Sequence, residues 1–243
     1  MYNNISIFAH RGASGYEVEN TLSAFEKALE LGATGIEIDL QLTKDNIFVV
    51  FHDLSLSRLT GKKKLLTDCS FDEVSTYKIG KRFWRKFTNH HIPSFQQVVD
   101  WANEHQMPLN IELKESILLN TNPLIDMLQK LSIPKGSHFS SFHDELMKIV
   151  KMQRPEFETA ILVNKKFQWE HLNNMSHINS VHADKRYYKP MYMDYCKNAK
   201  KKMRLYGING TEPFLNEPDP VIVGWITDYP DKVRKICKTT KNE

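Results

Sequence analysis

Gly35-Ile-Glu-Ile-Asp-Leu-Gln-Leu-Thr-Lys-Asp-Asn-Ile-Phe-Val-Val-Phe-His-Asp53 holds two apolar, β-rich runs, Gly35–Leu42 and Ile47–Phe51, separated by turn residues. Parallel neighbours in a sheet need a dozen or more connecting residues, and a hairpin does not. The segment Ile47–His52 is therefore read as an antiparallel return strand. A two-residue turn at Lys44-Asp45 pairs Thr43 with Asn46 and sets His52 opposite Glu37.

Outward from this hairpin, apolar β-like runs alternate with helical patterns. Ile5–Ala9 comes first, followed by a helix over Thr21–Leu31 that puts Leu22, Phe25, Ala28 and Leu29 on one face, with Asn20 as N-cap and Gly32 as stop. Ser94-Phe-Gln-Gln97 reads as a capping box for a helix to His105. Further strands are expected at 109–113, 138–141, 159–163, 180–183, 204–208 and 221–226, and helices at 123–131, 144–153, 166–173, 190–202 and 229–238. Without the hairpin return, eight β/α units remain, the count for a closed (β/α)8 TIM barrel. An open doubly wound sheet is the competing α/β reading, but no glycine-rich dinucleotide loop follows the first strand. The rhythm breaks over residues 54–92, about forty residues of basic and aromatic sequence with no clean period. Phe71, Val74, Phe83, Trp84 and Phe87 make this a small inserted subdomain or lid rather than a linker. The expectation is one domain over residues 1–243 with this insertion.

Composition bounds the function. The chain has 243 residues, 41% hydrophobic and 26% charged, as expected for a soluble globular protein with one sizeable core. No apolar run approaches the ~20 residues of a transmembrane helix, and the first ten residues lack the basic and apolar regions of a signal peptide. Cys69, Cys196 and Cys237 are odd in number and widely spaced, which reads as free thiols in a reducing, cytoplasmic compartment. The net charge of +4 comes from basic stretches at Lys62–Lys64, Lys81–Lys86 and Lys197–Arg204, read as solvated faces. Phe83 and Trp84 make a phospholipid headgroup contact conceivable, whereas no nucleic-acid motif accompanies the charge.

Chemistry-bearing residues cluster at the strand ends. Glu37 and Asp39 are two apart, so they share one strand face. That face is either the barrel interior or the helix layer. Two carboxylates held together repel unless a cation lies between them. Glu112, at the end of another strand, would supply a third ligand, and three carboxylates without cysteine suit Mg²⁺ or Ca²⁺. His10 and His52 both end apolar runs, and imidazole serves as acid and base near neutral pH. His182 has a similar position but reads as a core histidine. Arg11 would grip two phosphate oxygens as a fork and Lys114 would act as a point charge.

In this order the residues resemble the glycerophosphodiester phosphodiesterase family. The resemblance rests on His10-Arg-Gly12, Glu19-Asn-Thr-Leu22, Gly35-Ile-Glu-Ile-Asp39, Val49-Val-Phe-His-Asp53, Leu109-Asn-Ile-Glu-Leu-Lys114 and Thr227-Asp-Tyr-Pro230. It implies a TIM barrel with an insertion after His52-Asp53 and metal ligation by Glu37, Asp39 and Glu112. Acid/base roles fall to His10 and His52, and phosphate binding to Arg11 and Lys114. The implied reaction cleaves a glycerophosphodiester, a small-molecule substrate, to glycerol 3-phosphate and an alcohol such as choline or ethanolamine. Two departures stand out. Val18 replaces the family's Pro, and Tyr206-Gly-Ile-Asn209 replaces Trp-Thr-Val-Asn, leaving Tyr206 as a different aromatic substrate wall. A lysophospholipid phosphodiesterase at a membrane surface and a non-catalytic glycerophosphodiester-binding barrel are the rival readings. A glycosidase would leave His10, His52 and Lys114 without a task.

Overall fold

The computed structural model describes residues 5–80, 83 and 87–239. Nine strands form the sheet: β1 (Ser6–His10), β2 (Gly35–Leu42), β3 (Phe48–Val50), β4 (Leu109–Leu113), β5 (His138–Ser141), β6 (Glu158–Leu162), β7 (Ser180–Asp184), β8 (Lys202–Ile208) and β9 (Ile222–Thr227). Eight of them run parallel and close on themselves in the order β1-β2-β4-β5-β6-β7-β8-β9, with β9 returning to β1. β3 lies antiparallel beside β2 and outside this ring. The helices are α1 (Leu22–Glu30), α2 (Ser57–Thr60), α3 (Phe71–Ser75), α4 (Phe95–Glu104), α5 (Asn122–Lys130), α6 (Asp144–Gln153), α7 (Pro190–Asn198) and α8 (Pro230–Thr239). The fold is a closed (β/α)8 barrel.

Alternation within each strand divides the core. Ile36, Ile38 and Leu40 of β2 turn outward and join Phe25, Ala28, Trp101 and Ala102 of the helix layer. Their neighbours Glu37, Asp39 and Gln41 face the barrel interior and are fully buried there. The interior below the mouth is polar. Phe8, His138 and His182 stack edge to face, with ring centroids 5.0 and 5.4 Å apart. Arg204 pairs with Glu158 and donates to Ser180 Oγ at 3.2 Å. The sequence marked His182 as a core residue, and that is where it lies.

Four expectations change, the plainest being the helix read over 190–202, which stops at Asn198 because β8 begins at Lys202. The hairpin pairs Leu40 with Val50, Gln41 with Val49 and Leu42 with Phe48, one residue away from the register that set His52 opposite Glu37. The loop is Lys44-Asp45-Asn46, closed by Thr43 N donating to Ile47 O at 3.0 Å, with Asn46 at φ 62°. A three-residue loop ending in a left-handed residue shifts the pairing by one against a two-residue turn. The N-cap of α1 is Thr21, whose hydroxyl accepts from Ala24 N, rather than Asn20. Between β6 and β7 there is no α-helix over 166–173, only a 3₁₀ segment, Trp169–Asn174. Trp169 there packs against Tyr187 and Tyr192 at 5.6 and 4.8 Å, so aromatic packing substitutes for helix length. The Ser94–Gln97 capping box forms as read, through Ser94 N to Gln97 Oε1 at 2.9 Å and Gln97 N to Ser94 Oγ at 3.3 Å.

Between β3 and α4 the chain builds a second apolar cluster. Leu56, Leu59, Leu66, Cys69, Val74 and Ile79 are buried against Val49, Phe51 and Ile92. Phe83 and Phe87 stay outside it, 64% and 70% exposed, and Trp84 lies outside the described residues. Cys69 and Cys196 are buried free thiols, and among the described residues no helix is long and apolar enough to cross a membrane.

Candidate active site

The site stands at the C-terminal strand ends. His10 is the last residue of β1 and is level with Glu37 of β2, while Asp39 is level with Glu112 of β4. One oxygen from each of Glu37, Asp39 and Glu112 lies within 4.8 Å of the others. The three carboxylates assigned from sequence are therefore one cluster, on the interior face. Burial and the neighbouring Asp39 push the Glu37 carboxyl up to about 8 and raise Glu112 as well. Asp39 behaves oppositely. Its burial opposes ionisation, but Lys114 and Arg11 outweigh burial and hold it well below the usual carboxylate range.

The hydrogen-bond inventory tests whether a cation fits. Glu37 Oε1 and Asp39 Oδ1 are buried without a hydrogen-bond donor. Lys114 Nζ comes within 3.0 Å of Asp39 Oδ1, off the hydrogen-bonding line, and donates to Glu112 Oε1 at 2.6 Å. Buried oxygens lacking donors are costly, and three converging hard donors are the ligand type of Mg²⁺ and Ca²⁺. The residues fit the ion.

The turn after β1 aims Arg11 into this cluster. Arg11 takes φ 56°, which turns its N–H onto Glu37 Oε2 at 2.9 Å, while its Nη1 donates to Glu19 Oε1 at 2.9 Å and its Nε lies 3.0 Å from Asp39 Oδ2. Gly12 follows at φ 82°. A Cβ there would stand 2.7 Å from the Ala24 backbone, so only glycine lets the turn pack on α1.

Both histidines are held through Nδ1. His10 Nδ1 meets Asp228 Oδ1 at 2.7 Å, and His52 Nδ1 meets Asp53 Oδ1 at 2.7 Å. Gln41 Nε2 donates to the His52 carbonyl at 2.8 Å. A carboxylate on Nδ1 fixes the tautomer and leaves Nε2 to exchange a proton. Burial disfavours the His10 imidazolium, yet Asp228 and Glu37 outweigh that and raise its pKa. Tyr206, on β8 beside Asp184 of β7, is half-buried, and burial pushes its phenol up to about 12.

All eight residues assigned from sequence are thus placed at one end of the barrel. The sequence reading gave no part in the site to five others. Asn20, at φ 56°, is buried and donates from Nδ2 to Asp39 Oδ2 at 2.8 Å. Asp53 and Asp228 orient the imidazoles. Glu19 and Arg58 complete a chain of ion pairs from Asp53 to Arg11. Asp53 adjoins a histidine and Asp228 a strand end, and Glu19 and Asn20 sit in the quoted Glu19-Asn-Thr-Leu22 motif, so these four had a signal; Arg58 carried none. A cavity of about 150 Å³ beside His10 is lined by Arg11, Ser14, Val18, Leu59 and Asp228. Val18, just before the Glu19-Asn-Thr21 stretch, is therefore a wall of this cavity.

The profile of the glycerophosphoryl diester phosphodiesterase family matches residues 10–195. A glycerophosphodiester phosphodiesterase of Caldanaerobacter subterraneus subsp. tengcongensis is 30% identical, covering 96% of this chain and 97% of its own. Bacillus subtilis YqiK is 31% identical, covering 96% and 98%. Among solved structures, a phosphodiesterase of Oleispira antarctica in complex with the product sn-glycerol-3-phosphate superposes with TM-score 0.83 at 25% identity, covering 96% of each chain.

Proposed function

This chain is a member of the glycerophosphoryl diester phosphodiesterase family, and from that premise we propose that it hydrolyses water-soluble glycerophosphodiesters to glycerol 3-phosphate and an alcohol. The observation that carries the reading is the pairing of two imidazoles, each bonded to a carboxylate through Nδ1, around a buried cluster of three carboxylates.

Glu37, Asp39 and Glu112 would hold a divalent cation, Mg²⁺ or Ca²⁺. When bound, it supplies positive charge that stabilises the developing charge on the phosphoryl oxygens. Arg11 is anchored by Glu19 and turned toward the cluster, so it presents nitrogens to the phosphate at little entropic cost. Lys114 adds a second positive charge next to Glu112. One imidazole takes at Nε2 the proton of the nucleophile, either water directly or the neighbouring glycerol hydroxyl through a cyclic phosphate that water then opens, and the other gives its Nε2 proton to the departing alcohol oxygen. Asp53 and Asp228 stabilise whichever ring is charged. Tyr206 offers a flat, partly polar wall to the organic part of the substrate. The catalytic unit is taken as one domain over residues 1–243 with residues 54–92 inserted. Buried free thiols at Cys69 and Cys196 support a reducing, cytoplasmic setting.

Metal-stripped enzyme assayed on glycerophosphocholine, glycerophosphoethanolamine and a lysophospholipid, with Mg²⁺, Ca²⁺ or neither restored, tests this reading. Glycerol 3-phosphate should appear from the first two only when a cation is present. Full turnover in excess chelator, or release from the lysophospholipid alone, overturns it.

A further inference from the structure

We propose that Arg58 is a positioning residue that clamps Asp53 and Glu19 together, so that one guanidinium fixes both the His52 ring and the phosphate-binding Arg11. The inference rests on the acid/base reading of His52 and goes beyond it. Arg58 spends all three of its nitrogens on these two carboxylates. Its Nε donates to Asp53 Oδ2 at 2.5 Å. Its Nη1 and Nη2 donate to Glu19 Oε2 and Oε1 at 2.6 and 2.8 Å, a two-pronged grip. Both carboxylates then reach the machinery, Asp53 through the oxygen Arg58 leaves open and Glu19 through an oxygen that Arg58 and Arg11 share. Asp53 Oδ1 accepts from His52 Nδ1, and Glu19 Oε1 also accepts from Arg11 Nη1.

The geometry explains why a guanidinium stands here. Asp53 and Glu19 come from different walls, one following β3 and the other following β1. A carboxylate bonded at one oxygen only swings about its χ2 or χ3, and the ring it holds swings with it. A fork bonded to both carboxylates removes that freedom, whereas an ammonium is a point charge that favours one partner at a time. The anchor is rigid. Arg58 rides on α2, between Leu56 and Leu59, which are buried in the second apolar cluster, and α2 ends on Gly61 at φ 74°. The two carboxylates hold the guanidinium charged, with the Glu19 hydrogen bond the larger influence. By this arrangement the segment after β3 supplies part of the catalytic frame itself.

The test compares Arg58→Gln and Arg58→Lys with Asp53→Asn and Glu19→Gln, alone and combined, in the full chain loaded with Mg²⁺. Arg58→Gln should lower kcat at least tenfold, a fraction of the roughly 10²–10⁴ that a positioned acid or base contributes, and should also raise KM. Adding it to Asp53→Asn should change kcat by less than twofold, because the clamp acts on kcat through Asp53. Adding it to Glu19→Gln should leave KM within twofold for the matching reason. Arg58→Lys should keep the fold and still lose at least fivefold in kcat. Multiplicative losses in both combinations, or wild-type kcat in Arg58→Lys, overturn the clamp. If Arg58→Gln does not fold, Arg58→Lys decides. The His52 Nδ1–H proton resonance gives a readout independent of turnover. It should be sharp in the wild type and broadened by exchange in Arg58→Lys, and an unchanged signal refutes the proposal. A wild type with no activity on any glycerophosphodiester would sink the proposed reaction while leaving this resonance test standing.

Discussion

His138 and His182 make the barrel interior sensitive to acid. Both are fully buried. His138 Nε2 and both ring nitrogens of His182 lack hydrogen-bond partners. For His138, burial and then the Arg204 guanidinium push the pKa well below the usual 6.5. For His182, burial, then His138, then Arg204 do the same, with Glu158 opposing weakly. The sign follows from linkage. The unfolded chain binds a proton at each imidazole once the pH drops below 6.5, while the folded barrel keeps them neutral. Stability is therefore complete above 6.5 and is lost progressively as the pH falls toward the depressed folded values. A histidine that stays neutral in the barrel costs about 2 kcal/mol at pH 5 relative to pH 8, and the pair costs about 4 kcal/mol. That is a large share of the ~5–15 kcal/mol that holds a typical domain together. Glu37 and Glu112, raised by burial and by the neighbouring Asp39, act in the opposite sense over part of this range. The wild-type slope alone is therefore a mixture, and the comparison must be with a variant that removes only the imidazoles. Urea unfolding followed by circular dichroism at pH 5, 6, 7 and 8 provides it, on wild type, His182→Leu and His138→Leu/His182→Leu. Between pH 8 and 5 the wild type should lose about 2 kcal/mol more than the single variant and about 4 kcal/mol more than the double. Parallel curves for all three proteins would refute the argument, because they would mean the imidazoles protonate equally in both states.

Other consequences are as direct. Asn20→Ala removes the amide that holds Asp39 Oδ2 and should weaken Mg²⁺ binding roughly 10–100-fold, the usual cost of losing a group that orients a ligand; calorimetric titration with Mg²⁺ reads it, and unchanged affinity would rule out the assigned ligand. His10→Ala and His52→Ala should each lower kcat by roughly 10²–10⁴. On a substrate with an acidic phenol leaving group only the variant lacking the general acid should recover, so equal recovery in both contradicts the division of labour. Gly12→Ala places a Cβ 2.7 Å from the Ala24 backbone at a positive φ and should cost more than about 1–3 kcal/mol in urea; a neutral result would show that the β1–α1 turn relaxes freely.

Sequence alone determined what local chemistry encodes. The recurring apolar runs specified the parallel strands, because a chain buried on both faces of a barrel needs them. The short gap after Leu42 specified a hairpin, since no crossover fits. The Glu37–Asp39 spacing fixed a shared strand face, and Glu112, His10 and His52 were legible because each ends an apolar run. What the tertiary structure decided is every relation that depends on closure or on side-chain direction. Asp228 reaches His10 only because β9 returns to β1 across 218 residues. The face on which Glu37 and Asp39 lie became the interior only once the ring closed. Asn20 reads as a cap in one dimension, but a left-handed backbone turns its amide onto Asp39 and leaves the cap to Thr21. The hairpin register turned on a single loop residue, Asn46, which no hydrophobic pattern reports. Arg58 had no legible signal at all, because its two partners come from separate walls that only folding brings within reach of one guanidinium.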